Sequence, residues 1–149
     1  MEDLLIRREL IIYDSEQTSQ EGVFQEAYEY LLGRGCVSES YLDALTKREK
    51  EHPTALQLEN INIAIPHVDS VHVKKSGILA MKLKKPVTFQ NMLDKSDVDV
   101  THIFFLILTS GETHLEALSG LMTMLQQKEI IDKIKEAKTQ EELYQVLAS

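Results

Sequence analysis

The stretch Asn62-Ile63-Ala64-Ile65-Pro66-His67 joins a short apolar run to a proline and then to a histidine. β-Branched and small apolar residues in such a run are typical of strands, so we predict a strand over residues 60–66. Pro66 fixes one backbone angle and lacks an N–H donor, which suits a defined exit from that strand. The sequence therefore predicts that His67 is held at a strand end, on the rim of a sheet.

Strand patterns occur both before and after this run. Helical patterns lie before, between and after the strands. The segment 102–108 is nearly all apolar, as expected of a central strand that is covered on both faces. Strands are predicted at 10–13, 77–83, 87–89 and 102–108, and helices at about 18–32, 38–50, 113–125, 130–137 and 139–147.

This order of elements favours an α/β sandwich in one domain that spans residues 1–149. The segments 77–83 and 87–89 are joined too tightly for a helical crossover, so we predict a mixed parallel and antiparallel sheet. We expect about five strands with helices on both faces.

Composition excludes several classes of function. The formal net charge of −8 argues against nucleic-acid binding through phosphate contacts. No apolar run approaches the ~20 residues of a membrane span, so we expect no direct insertion into a membrane. Residues 1–5 are acidic and lack the pattern of a signal peptide, which makes the cytoplasm the expected location. The single cysteine, Cys36, excludes an internal disulfide.

His114 lies where a helix is predicted to follow the strand 102–108. Thr113-His114-Leu115-Glu116 has capping-box spacing, and Ser110 is a rival cap. Apolar residues then recur at helical spacing from Leu115 onwards. If the helix follows the strand directly, its free N–H groups open at the carboxyl edge of the sheet, where ligands bind in open α/β folds.

Arg48 and Thr54 are the other candidate anion ligands. Arg48 is expected near a helix end, either paired with Glu49 or Glu51 in solvent or gripping phosphate oxygens with its guanidinium fork. Such a cation would lower the pKa of a nearby His67 and keep the ring neutral. The Thr54 hydroxyl could donate to the same anion, or Thr54 could be a plain loop residue.

The run from His67 to His72 also has histidine and aspartate at a spacing that can bind a metal ion. It contains Asp69 between two histidines, but lacks a second carboxylate or a cysteine, so we expect no metal. No glycine-rich phosphate loop or nucleophile elbow occurs, and we expect no cofactor. Since a neutral imidazole is a good nucleophile toward phosphorus, the residues favour a protein that carries a phosphoryl group on His67.

These motifs resemble enzyme IIA of the fructose/mannitol/galactitol class in the bacterial phosphoenolpyruvate:sugar phosphotransferase system. The likeness extends over essentially the whole chain, and the run Pro66 to Val73 is most similar to the galactitol branch. It rests on Tyr41…Leu45-x-x-Arg48-Glu49, the strand ending in His67, the apolar strand 104–108 and His114-Leu115…Leu118…Leu121.

The resemblance implies that His67 accepts a phosphoryl group from HPr on Nε2 and passes it to a cysteine of enzyme IIB during uptake of a hexitol such as galactitol. It also implies that His114 and Arg48 lie beside the phosphohistidine. Ala55 follows Pro53-Thr54, where the family often has glycine, which leaves the role of Thr54 open. We expect the cysteine-bearing enzyme IIB and the membrane component IIC to be separate polypeptides. A regulatory module of the same fold, which binds target proteins according to its phosphorylation, is the alternative.

Overall fold

The computed structural model describes residues 5–148, which form a sheet flanked by helices. The strands are β1 (Ile6–Ser15), β2 (Ala55–Gln57), β3 (Asn62–Ala64), β4 (Gly77–Gln90) and β5 (Asp97–Ile107). The helices are α1 (Gln20–Gly33), α2 (Tyr41–Glu51), α3 (Gly111–Leu125), α4 (Lys128–Glu136) and α5 (Gln140–Ala148), with a short 3-10 turn at Ser70–His72. None of the helices within residues 5–148 combines the length and the apolar content needed to cross a membrane.

The five strands lie in the order β1-β4-β5-β3-β2, so β5 is central, as expected for the apolar segment 102–108. β1 runs parallel to β4 and β3 parallel to β5, whereas the pairs β4–β5 and β2–β3 are antiparallel. This confirms the mixed sheet. Because β3 and β5 are parallel neighbours, their carboxyl ends open at the same edge of the sheet.

Alternating side chains of the strands feed two hydrophobic clusters, one on each face. On β5, Ile103 and Phe105 pack with α1 and α2, whereas Phe104 and Leu106 pack with α3, α4 and α5. The period of two follows from the pleat of the strand, and it explains why residues 103–107 of β5, which are covered on both faces, are all apolar. The predicted α/β sandwich with helices on both faces is confirmed.

Several predicted boundaries were wrong. The segments 77–83 and 87–89 form the single strand β4, whose register with β5 shifts between Lys82 and Val87. Pro86 falls within this shift, where a residue without an N–H costs no regular ladder bond. The mixed character of the sheet therefore comes from the β4–β5 hairpin and from β2, a three-residue strand that was not predicted from the sequence.

The first helix begins at Gln20, two residues later than predicted. Ser19, and not Thr18, is the N-cap of α1, and its hydroxyl accepts a hydrogen bond from the N–H of Gly22 at 3.0 Å. The strand that leads to His67 is shorter than the predicted 60–66, since only Asn62–Ala64 forms a regular ladder. Neither difference alters the direction in which the chain reaches His67.

Candidate functional site

His67 is placed by sheet-like pairing that continues beyond β3. The carbonyl of Pro66 accepts a hydrogen bond from the N–H of Leu106 at 3.0 Å, and His67 forms a parallel bridge with Leu106. Pro66 has no backbone N–H, so it leaves no donor without a hydrogen-bond acceptor at this point of the chain. The backbone at His67 is thereby fixed to the carboxyl end of the central strand, as the sequence predicted.

The His67 ring is half-buried and hydrogen-bonded through one nitrogen. Nδ1 lies 2.9 Å from the carbonyl oxygen of Ile65, which can only accept, so Nδ1 carries the proton. Burial lowers the pKa of His67, opposed by the bond to Ile65 and reinforced by His114 and Arg48. The ring is therefore neutral at pH 7, with its lone pair on Nε2.

Three residues separate the end of β5 from the start of α3. Its cap is Ser110, whose hydroxyl accepts from the N–H of Thr113 at 3.2 Å and donates to the Thr113 hydroxyl at 2.8 Å. The box headed by Thr113 was therefore the wrong choice, and its rival Ser110 is the cap. The N–H of Thr113 is used by this cap, and the N–H of His114 donates to the Ser110 carbonyl at 3.1 Å. The N–H groups of Gly111 and Glu112 precede the first intrahelical bond and lie at the positive end of the helix dipole.

His114 lies in this first turn and faces His67. The centroids of the two rings are 4.7 Å apart, with the ring planes inclined at 60°. Burial, and after it the charge of Arg48, lowers the pKa of His114. The next residue, Leu115, was predicted to belong to the apolar inward face of the helix, but its side chain is 69% exposed, so that part of the prediction was wrong.

Arg48 reaches the site from the last turn of α2. Its Nη1 lies 3.5 Å from Oδ1 of Asp69, and its Nε is buried without a hydrogen-bond partner. The predicted alternatives, pairing with Glu49 or Glu51, are not found. A guanidinium with a buried, unused N–H retains the capacity to bind a further acceptor.

These side chains share one open cavity of about 360 Å³. It is lined by Arg48, His67, His114 and the cap of α3, together with Val68, Asp69, Ser70 and Leu108. A neutral nitrogen nucleophile, a guanidinium and a helix N-terminus thus face the same space. Such a site can take an anionic group onto nitrogen and stabilise its oxygens.

Thr54 is not among the residues that line this cavity. Its side chain is buried, and its hydroxyl donates to Oε1 of Glu49 at 2.9 Å. The structure therefore brings together three of the four predicted residues, His67, His114 and Arg48, and places Thr54 behind them.

Two residues of the site were not predicted as anion-site residues. The sequence pattern indicates Asp69 only as a metal ligand and Ser110 only as a rival cap. The signal for Asp69 was present in its spacing of two residues from His67. The signal for Ser110 was the distance from the end of the apolar strand, which leaves room for a cap before Thr113.

The described residues 5–148 contain no group of three or more histidine, cysteine, aspartate or glutamate side chains that could hold a metal ion. His72, the second histidine of the run 67–72, has its Nδ1 2.7 Å from the hydroxyl of Ser40. Its side chain is therefore directed to the start of α2.

Comparison with known proteins identifies the family. The model for the phosphoenolpyruvate-dependent sugar phosphotransferase system, EIIA 2, matches residues 4–149, and the chain belongs to this family. It is 36% identical over 104 residues to the galactitol-specific EIIA component of Escherichia coli K12, covering 70% of this chain and 69% of that protein. Members of the family are phosphotransferases of a sugar-uptake relay, which confirms the resemblance drawn from the motifs.

Solved structures share the fold. Nitrogen regulatory protein IIA-Ntr from Neisseria meningitidis aligns with a TM-score of 0.78 and 28% identity, over 97% of each chain. The complex of mannitol enzyme IIA with phosphorylated mannitol enzyme IIB from Escherichia coli aligns with a TM-score of 0.77 and 24% identity, over 94% of each chain.

Proposed function

We propose that this protein carries a phosphoryl group on Nε2 of His67, which it accepts from phospho-HPr and passes to a cysteine of enzyme IIB. The observation that carries the proposal is the hydrogen bond from Nδ1 to the Ile65 carbonyl at 2.9 Å. It fixes the tautomer in which Nε2 holds the lone pair, in a ring that lines a cavity with Arg48 and His114.

Acceptance is an in-line displacement at phosphorus. The lone pair of Nε2 forms a bond to phosphorus as the phosphorus–nitrogen bond of the donor histidine breaks, and the bonding electrons leave with the donor ring. Arg48, His114 and the N–H groups of the first turn of α3 stabilise the charge on the three equatorial oxygens. The His67 ring becomes positively charged, and its Nδ1–H stays bonded to Ile65.

Donation to enzyme IIB reverses these roles. A thiolate of the acceptor attacks phosphorus, the sulfur–phosphorus bond forms, and the bond to Nε2 breaks. Because Nδ1 has kept its proton, His67 leaves as a neutral imidazole, which is a far better leaving group than an imidazolate. Support for this acceptor comes from the mannitol relative, which was solved with phosphorylated enzyme IIB.

An apolar rim suits docking of both partners at this cavity. Val71 follows the cavity residue Ser70 and is 79% exposed, and Leu115 follows His114 and is 69% exposed. Large apolar side chains flanking a reactive centre are typical of docking surfaces. Both partners need only a modest interface, because each encounter is transient.

The sugar is a hexitol or a related compound, and galactitol is the first candidate. The 36% identity to a galactitol-specific EIIA component supports this choice. We place the relay in the cytoplasm.

The test is to incubate the protein with enzyme I, HPr and labelled phosphoenolpyruvate. Wild type should take up label on His67, with the position on the ring assigned by phosphorus NMR, and should lose it to galactitol enzyme IIB. His67→Ala should take up none, whereas the exposed matched control His52→Ala should label normally. Label retained by His67→Ala would overturn the proposal.

A regulatory role is the second candidate. It is favoured by the 28% identity to nitrogen regulatory protein IIA-Ntr over 97% of this chain. His67 would then be a switch whose phosphorylation changes the binding of a target protein. Failure of every sugar-specific enzyme IIB to remove the label, with growth on hexitols unaffected by deletion, would favour this role over transport.

A further inference from the structure

Glu49 is a buried carboxylate in the last turn of α2, directly after Arg48 in the chain. Its side chain is 4% exposed, and both of its oxygens are used by one residue. Oε2 accepts from the N–H of Thr54 and Oε1 from the Thr54 hydroxyl, each at 2.9 Å. We call this two-point contact the carboxylate clamp.

The clamp continues by hydrogen bonds to the reacting ring. The carbonyl of Thr54 accepts from the N–H of Ile65 at 3.2 Å, and the carbonyl of Ile65 accepts from Nδ1 of His67 at 2.9 Å. An unbroken path therefore runs from Glu49 through Thr54 and Ile65 to His67. Arg48 is attached at one end of this path and His67 at the other.

The two ends belong to different elements, which explains why a clamp is useful. Arg48 is carried by α2, whereas His67 follows β3 in the sheet. Only a defined placement of α2 against β2 and β3 sets the separation between the guanidinium and Nε2. A misplacement of about 1 Å at such a site costs on the order of a hundredfold in rate.

Burying a carboxylate costs desolvation free energy, so packing alone does not explain why a carboxylate joins these two elements. Burial raises the pKa of Glu49, and the two hydrogen bonds from Thr54 oppose that rise. Apolar side chains of similar volume would hold the elements together at less cost, but without directional contacts. The two hydrogen bonds, one to each carboxylate oxygen, restrict both the distance and the orientation of the helix end.

We propose that Glu49 and Thr54 are positioning residues for phosphoryl transfer, which hold Arg48 in register with His67. This inference rests on the proposed role of His67 and deepens it. It also gives a role to Thr54, whose hydroxyl acts through Glu49 and Arg48 and not on the phosphoryl group itself.

The test compares Thr54→Val, which keeps the shape and loses the hydroxyl, with Thr54→Ser, which keeps the hydroxyl. Glu49→Gln weakens the clamp from its other side. The matched control is Ser15→Ala, since Ser15 is also buried and its hydroxyl donates to Glu26 at 2.6 Å. Ser15 pairs with Leu83, at the end of β1 that is remote from the edge carrying His67.

Two readouts are needed. The first is the single-turnover rate of label transfer from phospho-HPr at saturating donor, together with the donor concentration for half-maximal rate. Thr54→Val and Glu49→Gln should lower the saturating rate about ten- to a hundredfold with little change in that concentration. Thr54→Ser should recover the rate to within about threefold of wild type, because the hydroxyl is restored.

The second readout is a nitrogen NMR titration of the His67 ring without any donor. Arg48 contributes to lowering the pKa of His67, so an Arg48 released by Thr54→Val should let that pKa rise toward its ordinary value. Ser15→Ala should leave both the titration and the rate unchanged. If Thr54→Val does not fold, Glu49→Gln carries both measurements.

The outcomes separate this inference from the function on which it rests. If wild type is labelled on His67 and Thr54→Val matches Ser15→Ala in rate and in titration, the positioning role is wrong and the carrier function stands. A loss of rate that Thr54→Ser does not restore also overturns the positioning role. If wild type takes no label on His67, the carrier function fails, whatever the Thr54 variants do.

Discussion

The rings of His67 and His114 face each other with centroids 4.7 Å apart, and burial is the main cause that lowers the pKa of each. Two imidazolium ions at this separation would repel each other, so the arrangement favours neutral rings. One ring is then free to act as a nucleophile while the other hydrogen-bonds to the incoming group. The pair is thus adapted to receive a dianion without first releasing a proton.

The pH dependence of phosphorylation should reflect this lowered pKa. In the folded protein the pKa of His67 lies below its ordinary value of about 6.5, so the ring stays neutral down to that pH. The rate of phosphorylation should therefore stay level from pH 8 to pH 6.5 and fall only under more acidic conditions. Single-turnover labelling across this range, with donor stability checked separately, measures it. His114→Ala should shift the fall to higher pH, because His114 lowers the pKa of His67. A fall that begins above pH 6.5 in wild type would contradict the expectation.

Substitution of Arg48 should lower the rate of phosphoryl transfer, and the loss should be larger when both its charge and its hydrogen bonds are removed. Arg48→Ala loses both charge and hydrogen bonds, and we expect a rate about 10²- to 10³-fold lower. Arg48→Lys keeps the charge without the planar fork, so a loss of about tenfold is expected. Lys50→Ala, an exposed cation on the same helix, is the control. Equal rates for Arg48→Lys and Arg48→Ala would show that the fork geometry is the whole contribution.

The apolar rim should affect docking and leave chemistry intact. Leu115→Glu places a charge beside His114, and we expect the apparent KM for phospho-HPr to rise about tenfold with the saturating rate unchanged. Leu93→Glu is the control, because Leu93 is 86% exposed on the turn before β5, at the end remote from His67. Both changes should leave the free energy of unfolding within about 0.5 kcal/mol of wild type. A similar rise in KM for both variants would indicate a nonspecific effect of charge.

His102 should make the fold sensitive to acid. Burial, with Lys82 and Lys135 after it, lowers the pKa of His102 to about 4, and its Nε2 is buried without a partner. Between about pH 6.5 and pH 4 the unfolded chain binds a proton at His102 that the folded chain does not bind. The free energy of unfolding therefore decreases as the pH is lowered through this window. The full loss is about 3 kcal/mol, at about 1.4 kcal/mol for each pH unit.

Urea unfolding at several pH values measures this contribution. His102→Leu should flatten the dependence between pH 6.5 and pH 4 relative to wild type, since the carboxylates titrate equally in both proteins. The same variant should still accept label at pH 7.5, where His102 is neutral. An unchanged slope in His102→Leu would refute the assignment.

The parts of the site that sequence predicts are those set by local chemistry. Pro66-His67 predicts the end of a strand to within a few residues. The spacing from the apolar strand to Ser110 and His114 predicts the start of the next helix from equally local sequence. Thr54 shows the limit. Its hydroxyl is visible in the sequence, but the inward turn of Glu49 depends on how α2 lies against the sheet, and a run such as Lys47-Arg48-Glu49-Lys50 looks solvent-exposed throughout.

The same limit explains the errors in the fold. Lys84-Lys85-Pro86 has the composition of a turn, yet β4 passes through it because β5 supplies partners on both sides of the register shift. Leu115 has the right spacing for the inner face of α3, but it lies near the start of the helix and its side chain is exposed. Tertiary context decided both cases, which periodicity does not reveal.

The central place of β5 has a consequence for motion. Amide groups in a strand paired on both sides exchange with solvent mainly through global unfolding, whereas surface segments open locally. Because His67 is bonded to β5 and α3 follows it directly, the reactive ring is anchored to the slowest-opening part of the molecule. Each visiting partner therefore meets a nucleophile whose position does not depend on local opening of the surface.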